Sequence, residues 1–183
     1  MKTPRLKLKN HQSLTKNQDK MEKKPKLLIY PHPLLRKQAL PIKKIDEKIF
    51  QLVERMKRTL FFYEGLGLAA NQIGVLKSIF IVNLSGDKEK PKILAVINPQ
   101  IVEKDGEVED YEGCLSIPNV REIVVRPKRV IIKGISLDEK ETILEGKGLL
   151  ARCFLHEYDH LCGILFIDHL SELRKKFILN QLK

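Results

Sequence analysis

Cysteine is scarce in this chain. Three residues in 183 are too few for a disulfide framework, which fits a reducing compartment. No run of about 18 apolar residues occurs, so no segment is expected to span a membrane. There is no internal repeat, and the first 24 residues hold no apolar stretch of the kind a secretory signal carries. Acidic residues are few at the N-terminal end, where residues 1–26 hold nine Lys/Arg against two acids. The rest of the chain holds 25 against 21, so the net charge of +11 arises largely at one end. The basic balance therefore gives no reason to expect a specific nucleic-acid partner for the folded body.

Residues 1–24 are rich in Lys, Asn and Gln and show no hydrophobic period, so they read as a disordered basic extension. An organelle leader is the alternative, but the stretch has one Ser and one Arg where such leaders are rich in both. Residues 25–183 suffice for one domain with a proper core. Within them, Ile49, Leu52, Val53, Met56 and Leu60 form a helical stripe over Ile45–Glu64, with Asp46 as N-cap and Gly65 as stop. Ser78–Leu84, Lys92–Ile97, Glu122–Arg126 and Arg129–Ile135 are rich in Ile and Val and read as strands. Ser85–Pro91, Asp105-Gly106 and Leu137–Lys140 read as turns or loops. Gly148–Leu161 and Ser171–Leu182 read as helices, the last with Leu173, Phe177 and Ile178 towards the body. The order is that of an α+β protein. Mixed or antiparallel sheets are expected to pack around a central helix, with an N-terminal and a C-terminal helix beside them.

Histidine is also sparse, and two of the five residues fall in His156-Glu157-Tyr158-Asp159-His160. Two histidines at i and i+4 lie about 40° apart on one helix face, so both imidazoles can reach one metal ion. Glu157 and Asp159 flank that face equally, at about 80° on either side of its centre, so geometry leaves the choice of acid–base open. A third ligand must come from elsewhere. Cys153 lies on the same face, but its backbone is roughly 10 Å from that of His160, too far for an easy shared ion. Cys162 is about 200° round the helix from His160. Cys114 meets neither objection and sits in an expected turn after the acidic stretch Glu107–Glu112. Small buried hydrophobe is the plainer reading for Cys153 and Cys162.

Three segments together carry a family resemblance: Gly65-Leu66-Gly67-Leu68-Ala69-Ala70-Asn71-Gln72, Glu112-Gly113-Cys114-Leu115-Ser116, and His156-Glu157-Tyr158-Asp159-His160. In order and spacing the chain from about Pro25 to Lys183 resembles the peptide deformylases. The resemblance implies removal of the N-formyl group from the formyl-methionine of newly made proteins. It implies Cys114, His156 and His160 as metal ligands and Glu157 as acid–base, and so resolves the tie with Asp159. It implies Gln72 and the Leu115 N–H as oxyanion donors. Leu66 and Gly67 are implied to bind substrate backbone, Arg121 to lie near the substrate, and Leu149 and Cys153 to wall the methionine pocket. Arg126 is implied to pair with Glu112. The implied ion is Fe²⁺, one per chain, and the donor set also suits Zn²⁺, Ni²⁺ or Co²⁺. Formyl-Met nascent peptides are the implied substrates, with transient ribosome contact and a bacterial cytoplasmic setting.

Two positions depart from the family pattern. Leu155 stands where Gln usually precedes the first histidine, and Arg152 stands where an aliphatic residue is common. Two readings from other classes compete. A general metallopeptidase would share His-Glu-x-x-His, yet no downstream ligand motif follows it. A structural zinc module would want four protein ligands, and three converge here.

Overall fold

A computed structural model describes residues 24–87 and 89–182. The basic extension, apart from Lys24, lies outside the described residues. Helix α1 spans Glu47–Phe62, and the Asp46 carboxylate caps it by accepting from the N–H groups of Lys48 and Ile49 at 3.1 and 3.3 Å. The expected stripe of α1 is buried throughout, from Ile49 to Leu60. Burying each such aliphatic side chain contributes roughly 1.5–3 kcal/mol relative to leaving it exposed. The stop differs from expectation. Glu64, with φ of 56°, takes the left-handed position, and the Gly65 N–H closes the last turn on the Leu60 carbonyl at 2.9 Å.

Among the described residues, seven strands follow. They are β1 (Gly67–Ala69), β2 (Ile79–Asn83), β3 (Ile93–Asp105), β4 (Val108–Cys114), β5 (Ile117–Arg126), β6 (Arg129–Ile135) and β7 (Glu141–Lys147). Five form an antiparallel sheet in the order β1-β2-β3-β6-β7, and β4 and β5 form a separate antiparallel hairpin. Strand β1 is thus an edge, paired with β2 alone. Helix α2 (Leu149–Leu161) lies between sheet and hairpin, and α3 (Glu172–Gln181) closes the chain. Its Ala151, Cys153, Phe154 and Leu155 pack with Phe80, Val82, Val96, Val130 and Ile132 of the sheet. A helix covered on nearly all sides needs few solvent-facing positions, and α2 buries even Arg152, His156, Glu157 and His160. Among the described residues, no helix is long and apolar enough to cross a membrane.

Several local expectations are corrected. The acidic stretch before Cys114 is strand β4, held in register by the Val-rich β5; Cys114 ends the strand, and the turn proper is Leu115–Ser116. Strand β7 went unforeseen, although Thr142, Leu144 and Gly146 alternate inwards against outward Glu141, Ile143 and Glu145. In α3 only Ile178 is buried, while Leu173 is 82% and Phe177 51% exposed. Ile178 faces inward as expected, and the rest of the inward face is made by Lys175, Leu179 and Leu182. It is anchored by Arg174 on Glu122, at 2.6 and 2.9 Å, and by Lys175 on Asp168 at 2.8 Å.

Candidate metal centre and its cavity

Three elements bring the site together. Helix α2 supplies His156, Glu157 and His160; the end of β4 supplies Cys114; the 3₁₀ turn Ala70–Ile73, directly after β1, supplies Gln72. Gly148, at φ of 55° and ψ of −124°, makes the abrupt turn from β7 into α2 in a region that suits glycine alone. One helical turn then sets the two imidazoles edge to face, with ring centroids 4.8 Å apart and planes at 78°. The ligand atoms of Cys114, His156 and His160 all lie within 4.8 Å of one another, and the Cys114 Sγ is 3.2 Å from His160 Nε2.

The local chemistry fits a cation. The donor set is one thiolate and two imidazoles, borderline-soft ligands suited to a divalent transition metal. Burial by itself disfavours charge on His156, yet the hydrogen bonds it donates to Cys114 and Glu112 more than reverse this and hold its pKa well above the usual histidine range. A cation taken up by the three donors would displace that proton. His160 is held well below that range by burial and by the neighbouring His156, as a neutral ligand requires.

Behind the ligands lies a buried polar network. The Glu112 carboxylate faces His156 Nδ1 at 2.7 Å, which leaves Nε2 for a metal. The same carboxylate accepts from Arg126 Nε and Nη2 at 3.0 and 2.6 Å and from Arg152 Nη1 at 2.9 Å. Burial would raise the Glu112 pKa, but His156 and Arg126 together hold it far below the usual carboxylate range. Arg126 continues to Asp159 at 2.5 Å, and Asp159 to His169 at 2.7 Å. The Asn71 amide donates to the His160 carbonyl, tying the turn to α2. The Glu112 link to His156, the inward turn of Arg152, and the parts played by Asn71 and Ser116 were not foreseen. Each depends on a contact between segments at least 40 residues apart in the chain.

A cavity of about 600 Å³ opens onto the site. It is lined by Leu66, Gly67, Gln72, Cys114, Leu115, Arg121, Leu149, Cys153, His156 and Glu157, so every expected site residue except His160 borders it. Glu157 is 3% exposed, and its Oε2 is buried with no hydrogen-bond partner. Burial, with a smaller push from Glu112, raises its pKa from 4.5 to about 7. The Gln72 Oε1 accepts from the Ala69 N–H at 2.8 Å. That bond turns the Gln72 amide nitrogen towards Ser116 Oγ at 3.2 Å and Cys114 Sγ at 3.7 Å, and so towards the metal ligands. Burial and then the Glu157 charge push the Cys153 thiol up, so it is a neutral wall. Asp159, by contrast, points to Arg126 and His169 and does not line the cavity.

Gly67 presses on this machinery. A Cβ there would sit 2.5 Å from Glu157 Oε1 and 2.9 Å from Cys153 Sγ. Gly67→Ala is therefore expected to displace the Glu157 carboxylate. Turnover should fall by about 10²-fold or more, the scale of a roughly 1 Å misplacement, while metal content is kept. Wild-type turnover in this variant would refute the close approach.

The polypeptide deformylase family model matches residues 24–176. A peptide deformylase of Carboxydothermus hydrogenoformans is 44% identical over 144 residues, covering 79% of this chain and 91% of that protein. One from Neisseria gonorrhoeae is 41% identical over 157 residues, covering 86% and 93%. The crystal structure of a peptide deformylase from Legionella pneumophila superposes with a TM-score of 0.81 at 39% identity, covering 86% of this chain and 92% of that one. A peptide deformylase from Synechococcus elongatus in complex with actinonin gives 0.82 at 34% identity, covering 88% and 90%.

Proposed function

The chain belongs to the peptide deformylase family and is a metal-dependent hydrolase that removes the N-formyl group from nascent peptides; within that activity we propose a role for each residue of the cavity floor. Cys114, His156 and His160 hold the metal, which we assign as Fe²⁺ and which supplies Lewis acidity that brings the pKa of a water towards neutrality. Glu157 takes a proton from the attacking water. As the water oxygen bonds to the formyl carbon and the C–N bond breaks, Glu157 delivers that proton to the leaving amine, and formate departs. The Gln72 amide and the Leu115 N–H hold the formyl oxygen as it gains negative charge; losing one such donor typically costs about 10²–10³ in rate.

The substrate peptide adds as a strand along the open edge of β1. There Leu66 is half-exposed and Gly67 offers no side chain to block a second backbone. Leu149, 62% exposed, and Cys153 wall the methionine side chain, and Arg121 stands at the rim. The observation that carries the reading is the convergence of three ligands beside a buried carboxylate with an unpartnered oxygen. The test is hydrolysis of a formyl-Met peptide against its acetyl counterpart and an internal peptide bond. Release of formate alone is expected, and equal cleavage of all three would refute it.

Residues 25–183 act as the catalytic domain in a bacterial cytoplasm, and the basic extension makes salt-dependent contact with ribosomal RNA phosphates. Its excess of seven positive charges over residues 1–26 supports that contact. Removing residues 1–24 should weaken co-sedimentation with ribosomes at low salt and leave turnover of a free peptide unchanged. Retained co-sedimentation would overturn the contact.

A further inference from the structure

Arg152 does more than fill the pocket wall. Its side chain is 5% exposed and makes two bonds, to Glu112 Oε2 at 2.9 Å and to the Val108 carbonyl at 3.1 Å. Glu112 is the carboxylate that fixes His156 Nδ1 at 2.7 Å. Val108 is the first residue of β4, whose last residue is the ligand Cys114. One guanidinium on α2 therefore grips the strand that presents the thiolate at its first residue and again two residues before Cys114, and it steadies the carboxylate that orients an imidazole. Arg126 binds the same carboxylate through Nε and Nη2, but it comes from β5 of the same hairpin. Its tie to α2 is through Asp159. Arg152 Nη1 thus joins Glu112 directly to the ligand helix, as His156 does from the next turn.

We propose that Arg152 is a positioning residue for the metal centre: through Glu112 and Val108 it sets the orientation of His156 and the distance between α2 and β4, and so the affinity and geometry of the bound metal. This rests on the assignment of Cys114, His156 and His160 as ligands. The guanidinium is suited to the task because its planar fork spreads donors over separate nitrogens and so reaches two acceptors that lie apart, whereas an ammonium presents its donors from a single nitrogen. Arg152 also borders the cavity, so a wall role and a positioning role must be separated by experiment.

Arg152→Met keeps an apolar stem and deletes both bonds. Expected are a rise in Co²⁺ dissociation constant of about 10–100-fold, the scale seen when partners behind a ligand are lost, and a shifted Co²⁺ d–d absorption spectrum. The fall in activity should lie in kcat, with KM for a formyl-Met peptide changed by no more than about twofold. Arg152→Lys should recover part of the affinity. In a Glu112→Gln background the Arg152→Met effect on Co²⁺ affinity should shrink, because the shared route is already broken. Wild-type affinity and spectrum with a raised KM would overturn the proposal and leave a wall residue. Should Arg152→Met fail to fold, Arg152→Lys decides, since wild-type Co²⁺ affinity and kcat in that variant would also overturn it. Stoichiometric Co²⁺ binding by the wild type is the baseline, and its absence would count against the ligand assignment itself.

Discussion

Glu157→Ala is expected to retain its metal and to lose about 10²–10⁴-fold in deformylation rate, the range that positioned acid–base catalysis supplies. All three ligands remain in the variant, and Glu157 itself makes no bond that holds them. Asp159→Ala should act differently. Its carboxylate joins Arg126 to His169 in the buried network, so its loss should lower thermal stability more than turnover. Metal analysis beside formate release separates the two cases. An active Glu157→Ala together with an inactive, metal-loaded Asp159→Ala would reverse the assignment. A second readout follows from burial, in metal-free protein. The folded pKa of Glu157 is raised from 4.5 to about 7. Its contribution to stability is full below about 4.5 and is lost as pH rises through about 7, because the ionised form is the disfavoured one. The gap corresponds to about 3 kcal/mol. Glu157→Gln should therefore remove that much of the pH dependence of unfolding between about 4.5 and 7. Identical pH profiles in denaturant melts of the two metal-free proteins would contradict it.

The choice between Glu157 and Asp159 also marks where the sequence stops being informative. Helix geometry puts both acids the same angle from the metal face, and nothing within five residues breaks the symmetry. What breaks it is the surroundings of α2. One flank faces the cavity beneath β1, and the other faces Arg126 and His169. Only the family resemblance carried that information in advance. Features repeating within one element were legible, such as the stripe of α1, the Asp46 cap and the i, i+4 histidines. Features requiring two elements were not, save where the resemblance supplied them, as with the Arg126–Glu112 pair across β4 and β5. Glu112 reads as one acid in an acidic run until β4 pairs with β5 and turns its carboxylate towards His156. Arg152 reads as an odd charge on an apolar helix until that carboxylate is in place to receive it. The inward face of α3 was misjudged for a similar reason. Ile178 does face the core, but Leu179 and Leu182 join it there in place of Leu173 and Phe177, and a run with apolar residues on several sides does not declare in advance which of them will meet a partner.

Cys114→Ser should remove most bound metal and with it most activity, the second large effect expected of this site. A thiolate is a soft, charged ligand at neutral pH when a cation is near, whereas a serine hydroxyl remains protonated and harder. The shorter Cβ–O bond also draws the acceptor back from the Ser116 N–H, which lies 3.3 Å from Sγ, and from the Gln72 amide, which lies 3.7 Å from it, so both contacts should weaken. The other two cysteines act as controls. Cys162 caps the C-terminal end of α2 and lines no part of the cavity, so Cys162→Ser should be nearly silent. Cys153 is a buried neutral wall beside Gly67, and Cys153→Ser should have an intermediate effect through packing. The same thiolate should make an iron-loaded centre sensitive to oxygen, because a catalytic site keeps an open position and Cys114 borders the cavity that leads to it. With Fe²⁺ loaded under argon, activity should decay faster in air than under argon, and replacement by Ni²⁺ or Co²⁺ should slow the decay. Metal content and formate release, followed together in both atmospheres, give the decision. Equal lifetimes would remove the case for labile iron, and full activity with bound metal in Cys114→Ser would remove Cys114 from the ligand set.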